Sequence, residues 1–211
     1  MKKSKIPAAP DLPLLEAADF YLEDEEIFSG FTFTGDDQSY QTAENMALQG
    51  CMLKNIHLQN THLPRFDCTN VIFENCDLSN VVWIGASFWR VIFRGCKLTG
   101  ANFAESHLRD CVFEDCLADF SSFSNATLKV VTFDHCQLNE AEFFEMNWQH
   151  TRLTNSQLTG SNWFHVKLKG LDFSTNIFDR IALSQENLPG LIVNQEQVLV
   201  IAMGLGIVIS D

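Results

Sequence analysis

The sequence predicts an all-β solenoid closed at its C-terminal end by a short α-helix. Three observations predict it. Leu, Phe or Trp occupies 25 of the 27 positions met in steps of five from Leu48 to Phe178, with no insertion. Two residues after that central position, Gly recurs 6 times and Asn 7 times, and both tolerate the positive φ of a tight turn. Like residues then recur 20 apart: Phe73, Phe93, Phe113 and Phe133, and likewise Cys76, Cys96, Cys116 and Cys136. A sustained period of five fits neither a helix of about 3.6 residues per turn nor a flat strand with a period of about 2. It fits a coil that turns a corner every five residues, with four sides to each 20-residue rung.

Taken in order, residues 1–40 form an acidic N-terminal segment. Residues 11–37 hold nine acids and no base, and the repeat is faint there. Phe28, Phe31 and Phe33 predict one strand or an incomplete coil within an acidic, partly irregular cap. Residues 41–193 form the solenoid, about seven coils at ~4.8 Å each. The central residues point inward, and so do the small or β-branched residues two before them, such as Val81, Ala86 and Val91. Two rungs are weak. Ala118 stands where Leu98 and Leu138 stand one coil away, which predicts a gap. At Cys68 the bulk moves two residues earlier, to Phe66.

Residues 194–211 form the C-terminal helix and tail. Asn194 with Gln197 three residues on has the form of a capping box, so a helix is expected from about Gln195 to Leu205, ended by Gly204 or Gly206. Val198, Leu199, Ile201, Ala202, Met203 and Leu205 make it apolar nearly all round. A short helix of that kind must be buried: one side caps the rod, and the other calls for a second copy in a two-fold dimer.

The chain carries 27 acids against 14 bases, a net charge of −13. That argues against direct binding of nucleic acid or an anionic membrane. No apolar h-region follows the N-terminal lysines, which argues against a signal peptide. The longest apolar run, Val198 to Ile209, is too short to span a bilayer. Seven cysteines, an odd number in a chain with room for a core, predict reduced thiols and a cytoplasmic protein. The cysteine ladder reads as packing in a small-residue slot, not as disulfides or zinc ligands, since CxxC spacing is absent. His57, His62, His107, His135, His150 and His165 all fall on outward positions, and no three meet on one wall. No metal or cofactor is expected. Glu114 and Asp134 share an outward slot one coil apart, a separation suited to a retaining glycosidase pair. A smooth wall gives neither acid a pocket, so the chain is not expected to be an enzyme.

The pentapeptides CDLSN, ANFAE and CVFED resemble the A(D/N)Lxx motif of pentapeptide-repeat proteins, over roughly residues 45–185. That resemblance implies a right-handed quadrilateral β-helix. A narrower one is carried by DCTNVIFENCDLSNVVW, NFAESHLRDCVFEDCLADFSSF, EFFE, SNWF, KGLDFSTN and the tail VNQEQVLVIAMGLGIVIS. These are similar to the chromosomal Qnr-like proteins of Gram-positive bacteria. What that implies is a homodimeric rod joined by its C-terminal helices, resembling B-DNA in size and charge. Such a rod binds the type II topoisomerases DNA gyrase and topoisomerase IV and protects them from fluoroquinolones. Loops used on gyrase by some Qnr proteins have no room in the unbroken register of this chain.

Contact must then come from the walls. Residues 41–183 hold 15 acids and 11 bases. Three walls are acidic, and the wall of Phe88, Leu108 and Leu128 is basic through Arg90, Arg109, Lys129, Lys167 and Lys169. The expected topoisomerase-binding residues are Asp77, Glu114, Asp115, Asp119, Asp134, Glu140, Glu142 and Glu145, with Phe144 and Phe164 as candidate apolar contacts. Two other readings stay open: a scaffolding repeat protein with an unrelated partner, and an immunity factor against a gyrase-directed toxin.

Overall fold

Every fifth residue from Glu25 to Gly170 has a positive φ. This column of left-handed corners sets the architecture of the computed structural model, which describes residues 5–208 and 210. Lys2, Lys3 and the Ile209 that ends the apolar run lie outside the described residues. Between corners the chain is extended, so each 20-residue coil has four short sides and stacks in parallel on the next. The result is a β-solenoid of about eight turns followed by one short helix.

The register is 20 throughout its middle. Asp67–Glu74, Ser87–Arg94, His107–Glu114 and Thr127–Asp134 pair in parallel, with Phe73 opposite Phe93, then Phe113, then Phe133. Each of these strands wraps two walls, bending at Asn70, Arg90, Asp110 or Val130, whose φ values lie between 54° and 58°. The other two walls are joined by single bridges such as Asp77 to Lys97 and Val82 to Asn102.

Inside, the central residues stack as ladders. Phe73, Phe93, Phe113 and Phe133 lie 4.7 to 5.0 Å apart between centroids and within 12° of parallel. A second ladder, Phe103, Phe123, Phe143 and Trp163, faces it. Rings of the two ladders meet edge to face, as Phe113 meets Phe123 at 5.8 Å and 89°. Stacking along the rod and edge contact across it are the two favoured aromatic geometries, and strand spacing imposes the first. Phe66 does fill the space at Cys68, stacking on Trp83 at 5.7 Å and 8°. Ala118 is buried.

All seven cysteines are free and buried. The thiols of Cys76, Cys96, Cys116 and Cys136 each donate, at 3.4 Å, to a carbonyl 23 residues earlier: Leu53, Phe73, Phe93 and Phe113 in turn. Burial pushes the Cys111 thiol up to about 12 and raises Cys68 likewise.

The N-terminal segment does more than cap. Ile27–Ser29 pairs with Ala47–Gln49, and Phe31–Thr34 pairs with Met52–Lys54. The coil register therefore already holds there, because Phe28 and Phe33 continue the five-residue series of buried centres. Phe20 closes this end, 5.7 Å from the Phe28 ring and 5.1 Å from that of Phe33. Residues 8–13 instead run along the side of the rod as a strap. Ala8 N–H donates to Asp110 Oδ1 at 3.3 Å and Asp11 N–H to Asn70 Oδ1 at 3.1 Å. Pro13 lies over Gly50, where a Cβ would come within 2.8 Å of its ring. Gly50 thus serves twice, as a corner with φ of 58° and as the seat of the strap.

At the other end, helix Gln195–Gly204 has the capping box the sequence predicts, with Asn194 Oδ1 accepting Gln197 N–H and Gln197 Oε1 accepting Asn194 N–H, both at 3.0 Å. Gln197 is buried, and its amide donates to Phe173 O at 2.8 Å and Asn176 O at 2.7 Å, carbonyls of the last coil. Val200 and Ile201 pack against the core, while Val198, Leu199, Met203 and Leu205 are exposed.

Candidate protein-docking surface

Outward side chains fall into columns because each coil repeats the last. On the wall of Phe113 one column reads Lys54, Glu74, Arg94, Glu114, Asp134. Opposite charges one coil apart pair directly: Lys54 Nζ with Glu74 Oε2 at 3.2 Å, and Arg94 with Glu74 at 3.9 Å and with Glu114 at 2.8 Å. Asp134 is the last charge of the column, followed by Thr154. It accepts Thr154 Oγ1–H at 2.6 Å, and His135 Nδ1 lies at 3.2 Å. The Thr154 hydrogen bond, helped by His135 and opposed by burial, holds Asp134 below the usual carboxylate range. The Glu114 and Asp134 pair is thus bound into hydrogen bonds and ion pairs on an open wall.

On the next wall Asp77 accepts Ser79 Oγ–H at 2.6 Å, a bond from Gln59, and an ion pair from Lys97 at 3.3 Å. Burial pushes Asp77 up, but the Ser79, Gln59 and Lys97 contacts together outweigh it and lower its pKa. Asp119 accepts the N–H of Asn139 at 2.8 Å. Glu140 reaches over Gly160, where a Cβ would overlap its carboxylate, to pair with Arg180. Glu142 is bonded by Asn162 Nδ2 at 2.7 Å.

Three of the eight predicted acids sit at corners of the rod. Asp115 is a corner residue beside Glu114, Glu140 is a corner between Asp119 and Glu142, and Glu145 is a corner on the far edge. Phe144 and Phe164 are one coil apart, and each ring lies against His165, at 5.5 and 6.3 Å. The six apolar residues assigned to the dimer interface divide: Val198, Leu199, Met203 and Leu205 face outward, whereas Ile201 and Ala202 are half-buried.

One feature of these walls escaped the sequence reading. Phe120 occupies a corner, with φ of 60° and its side chain 63% exposed. An aromatic residue in the left-handed region is strained. It lies between Asp119 and the Glu140 corner, with Leu117 exposed in the same coil. The signal was in the sequence, since Phe120 is the one Phe among the corner positions that follow the central residues from Leu48 to Phe178.

Fold and walls together define a class, the four-sided parallel β-solenoid, and residues 86–163 match the family model described as a pentapeptide repeat region. Among solved structures the chain is similar to full-length QnrB1, a plasmid-mediated fluoroquinolone resistance protein. Identity is 17%, over 92% of this chain and 100% of that one, with a TM-score of 0.44. It is also similar to HetL, a pentapeptide repeat protein involved in heterocyst differentiation regulation from the cyanobacterium Nostoc sp. strain PCC 7120. Identity there is 16%, over 81% and 86% of the two chains, with a TM-score of 0.33. No curated protein matches the sequence. Among the described residues no helix is long and apolar enough to cross a membrane.

Proposed function

We propose that this protein is a DNA-mimicking rod that docks on type II topoisomerases, DNA gyrase and topoisomerase IV, and protects them from fluoroquinolones. It acts by binding, as a cytoplasmic homodimer, and not as an enzyme. The observation that carries the reading is the five-residue period that runs unbroken in the sequence from Leu48 to Phe178 and coils at a 20-residue register. It holds carboxylates along the edges of a stiff rod at a strand spacing of ~4.8 Å. A topoisomerase groove lined with Lys and Arg expects phosphates, and a pre-organised acidic rod loses little ordering entropy on entering it.

The charge is thinner than that of a duplex, which carries one negative charge per ~1.7 Å. Cross-coil ion pairs also neutralise part of the Phe113 wall. Affinity in this reading therefore rests on a few anchors, and the edge of Asp119, Phe120, Glu140 and Glu142 combines acid with an exposed ring. The test is gyrase supercoiling in the presence of ciprofloxacin while the protein is titrated. Supercoiling should recover, less so as salt rises, and Phe120→Ala should need at least tenfold more protein for the same recovery. An intact protein with no effect at any dose refutes the reading.

A further inference from the structure

The five-residue period continues through residues 148–168 in the sequence, yet the backbone ladder breaks there. On the basic wall the coils pair in succession as far as Asn147–Gln149. Among the described residues no pairing joins Asn147–Gln149 to the rung above at 167–169. On the opposite wall and on the Phe103 wall the carbonyl before a central residue accepts the N–H of the central residue one coil earlier. Lys97 O accepts from Leu78 at 2.8 Å, Ser122 O from Phe103 at 2.7 Å and Asn162 O from Phe143 at 2.8 Å. At the broken rung Lys167 O instead takes the indole N–H of Trp148, at 2.6 Å.

A second sign marks the same place. The hydroxyls of Thr61, Ser106, Ser121 and Ser161 each donate to the carbonyl three residues earlier. Thr151 holds the equivalent position, and its Oγ1 is buried without a partner.

The split opens a cleft of about 610 Å³, whose lining includes Trp148, Gln149, His150, His165, Lys167 and Lys169. Two lysines and two histidines thus face one cavity in a chain of net charge −13. The carboxylate nearest to them is Glu186, with Oε1 4.0 Å from His165 Nδ1. Lysine ammonium groups bind phosphoryl oxygens as point charges. The volume exceeds what one phosphate fills and lies in the range of small-molecule sites.

We propose that the split rung binds a polyphosphate group, carried either by a nucleotide or by free inorganic polyphosphate. This does not rest on the topoisomerase reading. The experiment is isothermal titration of the full chain, at low ionic strength, with sodium triphosphate and separately with ATP. Either titrant should bind at one site per chain, and Lys167→Glu with Lys169→Glu should weaken binding at least tenfold. Lys129→Glu, on the same wall outside the cleft, should change it less than twofold. ATP binding tenfold tighter than triphosphate, an advantage lost in Trp148→Leu, identifies a nucleotide; equal affinities identify free polyphosphate. Should the charge-reversed pair fail to fold by near-ultraviolet circular dichroism, Lys167→Gln with Lys169→Gln makes the same comparison. No heat with either titrant at millimolar concentration overturns the proposal, as does Lys129→Glu weakening binding as much as the double variant.

Discussion

Phe113 shows what a single inward residue contributes. It stacks between Phe93 and Phe133 at 4.8 and 4.7 Å and meets Phe103 and Phe123 edge-on. Phe113→Ala removes all four contacts and leaves a cavity that neighbouring coils cannot fill without breaking register. The expected cost is about 3–5 kcal/mol, read from denaturant unfolding; a loss below about 1 kcal/mol would mean that the ladders do not carry the fold. Asp77 is the comparable outward residue. Its pKa is lowered in the folded state by Ser79, Gln59 and Lys97 against the push of burial. Its stabilisation is therefore present above about pH 4, the ordinary aspartate value, and is lost as pH falls through the lower folded value. Asp77→Asn should be less stable than the parent at pH 6, and the difference should vanish toward pH 2. Thermal midpoints across that range decide it, and a constant difference would exclude the titration of Asp77 as its source.

At the scale of elements, the coils were legible because burial selects the same residue type at every fifth position, and a period of five admits no helix or flat sheet. The helix was legible too, because Asn194 and Gln197 are only three residues apart and bond each other. The sequence did not reveal what lies far apart along the chain and meets only after coiling. The strap depends on Pro13 finding Gly50, and on Ala8 finding Asp110. The break at Trp148 leaves the period untouched, since an indole can occupy a central position and still divert a carbonyl of the next coil. Of the candidate surface, the columns of charge could be counted, but not their neutralisation through pairs such as Arg94 with Glu114. Gln197 ties the helix to the last coil through two amide hydrogen bonds. Gln197→Glu keeps the oxygen that accepts Asn194 N–H but removes both donors, leaving Phe173 O and Asn176 O facing a carboxylate. It should destabilise the C-terminal coil by about 1–3 kcal/mol. Native-state hydrogen exchange should then speed up at residues 171–205 while the coils around Phe113 keep their protection; unchanged exchange would show that the cap does not depend on this side chain.

The whole molecule is a rod with unlike ends. Phe20 seals the first coil, whereas the last coil is sealed by a helix whose outer face is itself apolar. Val198, Leu199 and Met203 are 51%, 50% and 55% exposed, beside a groove lined by Leu188, Leu191, Val193 and Ile207. A contiguous exposed apolar patch of this kind marks an interaction site, and a two-fold axis through the helix would let each copy cover the other's patch with the same residues. That arrangement would double the length of the rod and place two identical acidic edges symmetrically about its centre. Docking of one half would then raise the effective concentration of the other at a two-fold partner. In the proposed dimer, Leu199→Glu with Met203→Glu should leave a 23.9 kDa monomer in sedimentation velocity, with the β-solenoid signal in circular dichroism unchanged. The monomer should also need more than tenfold higher concentration to rescue supercoiling. A parent chain that already sediments as a monomer at micromolar concentration removes the dimer. A monomeric variant that rescues as well as the parent removes the link between symmetry and docking while leaving the acidic edge in place.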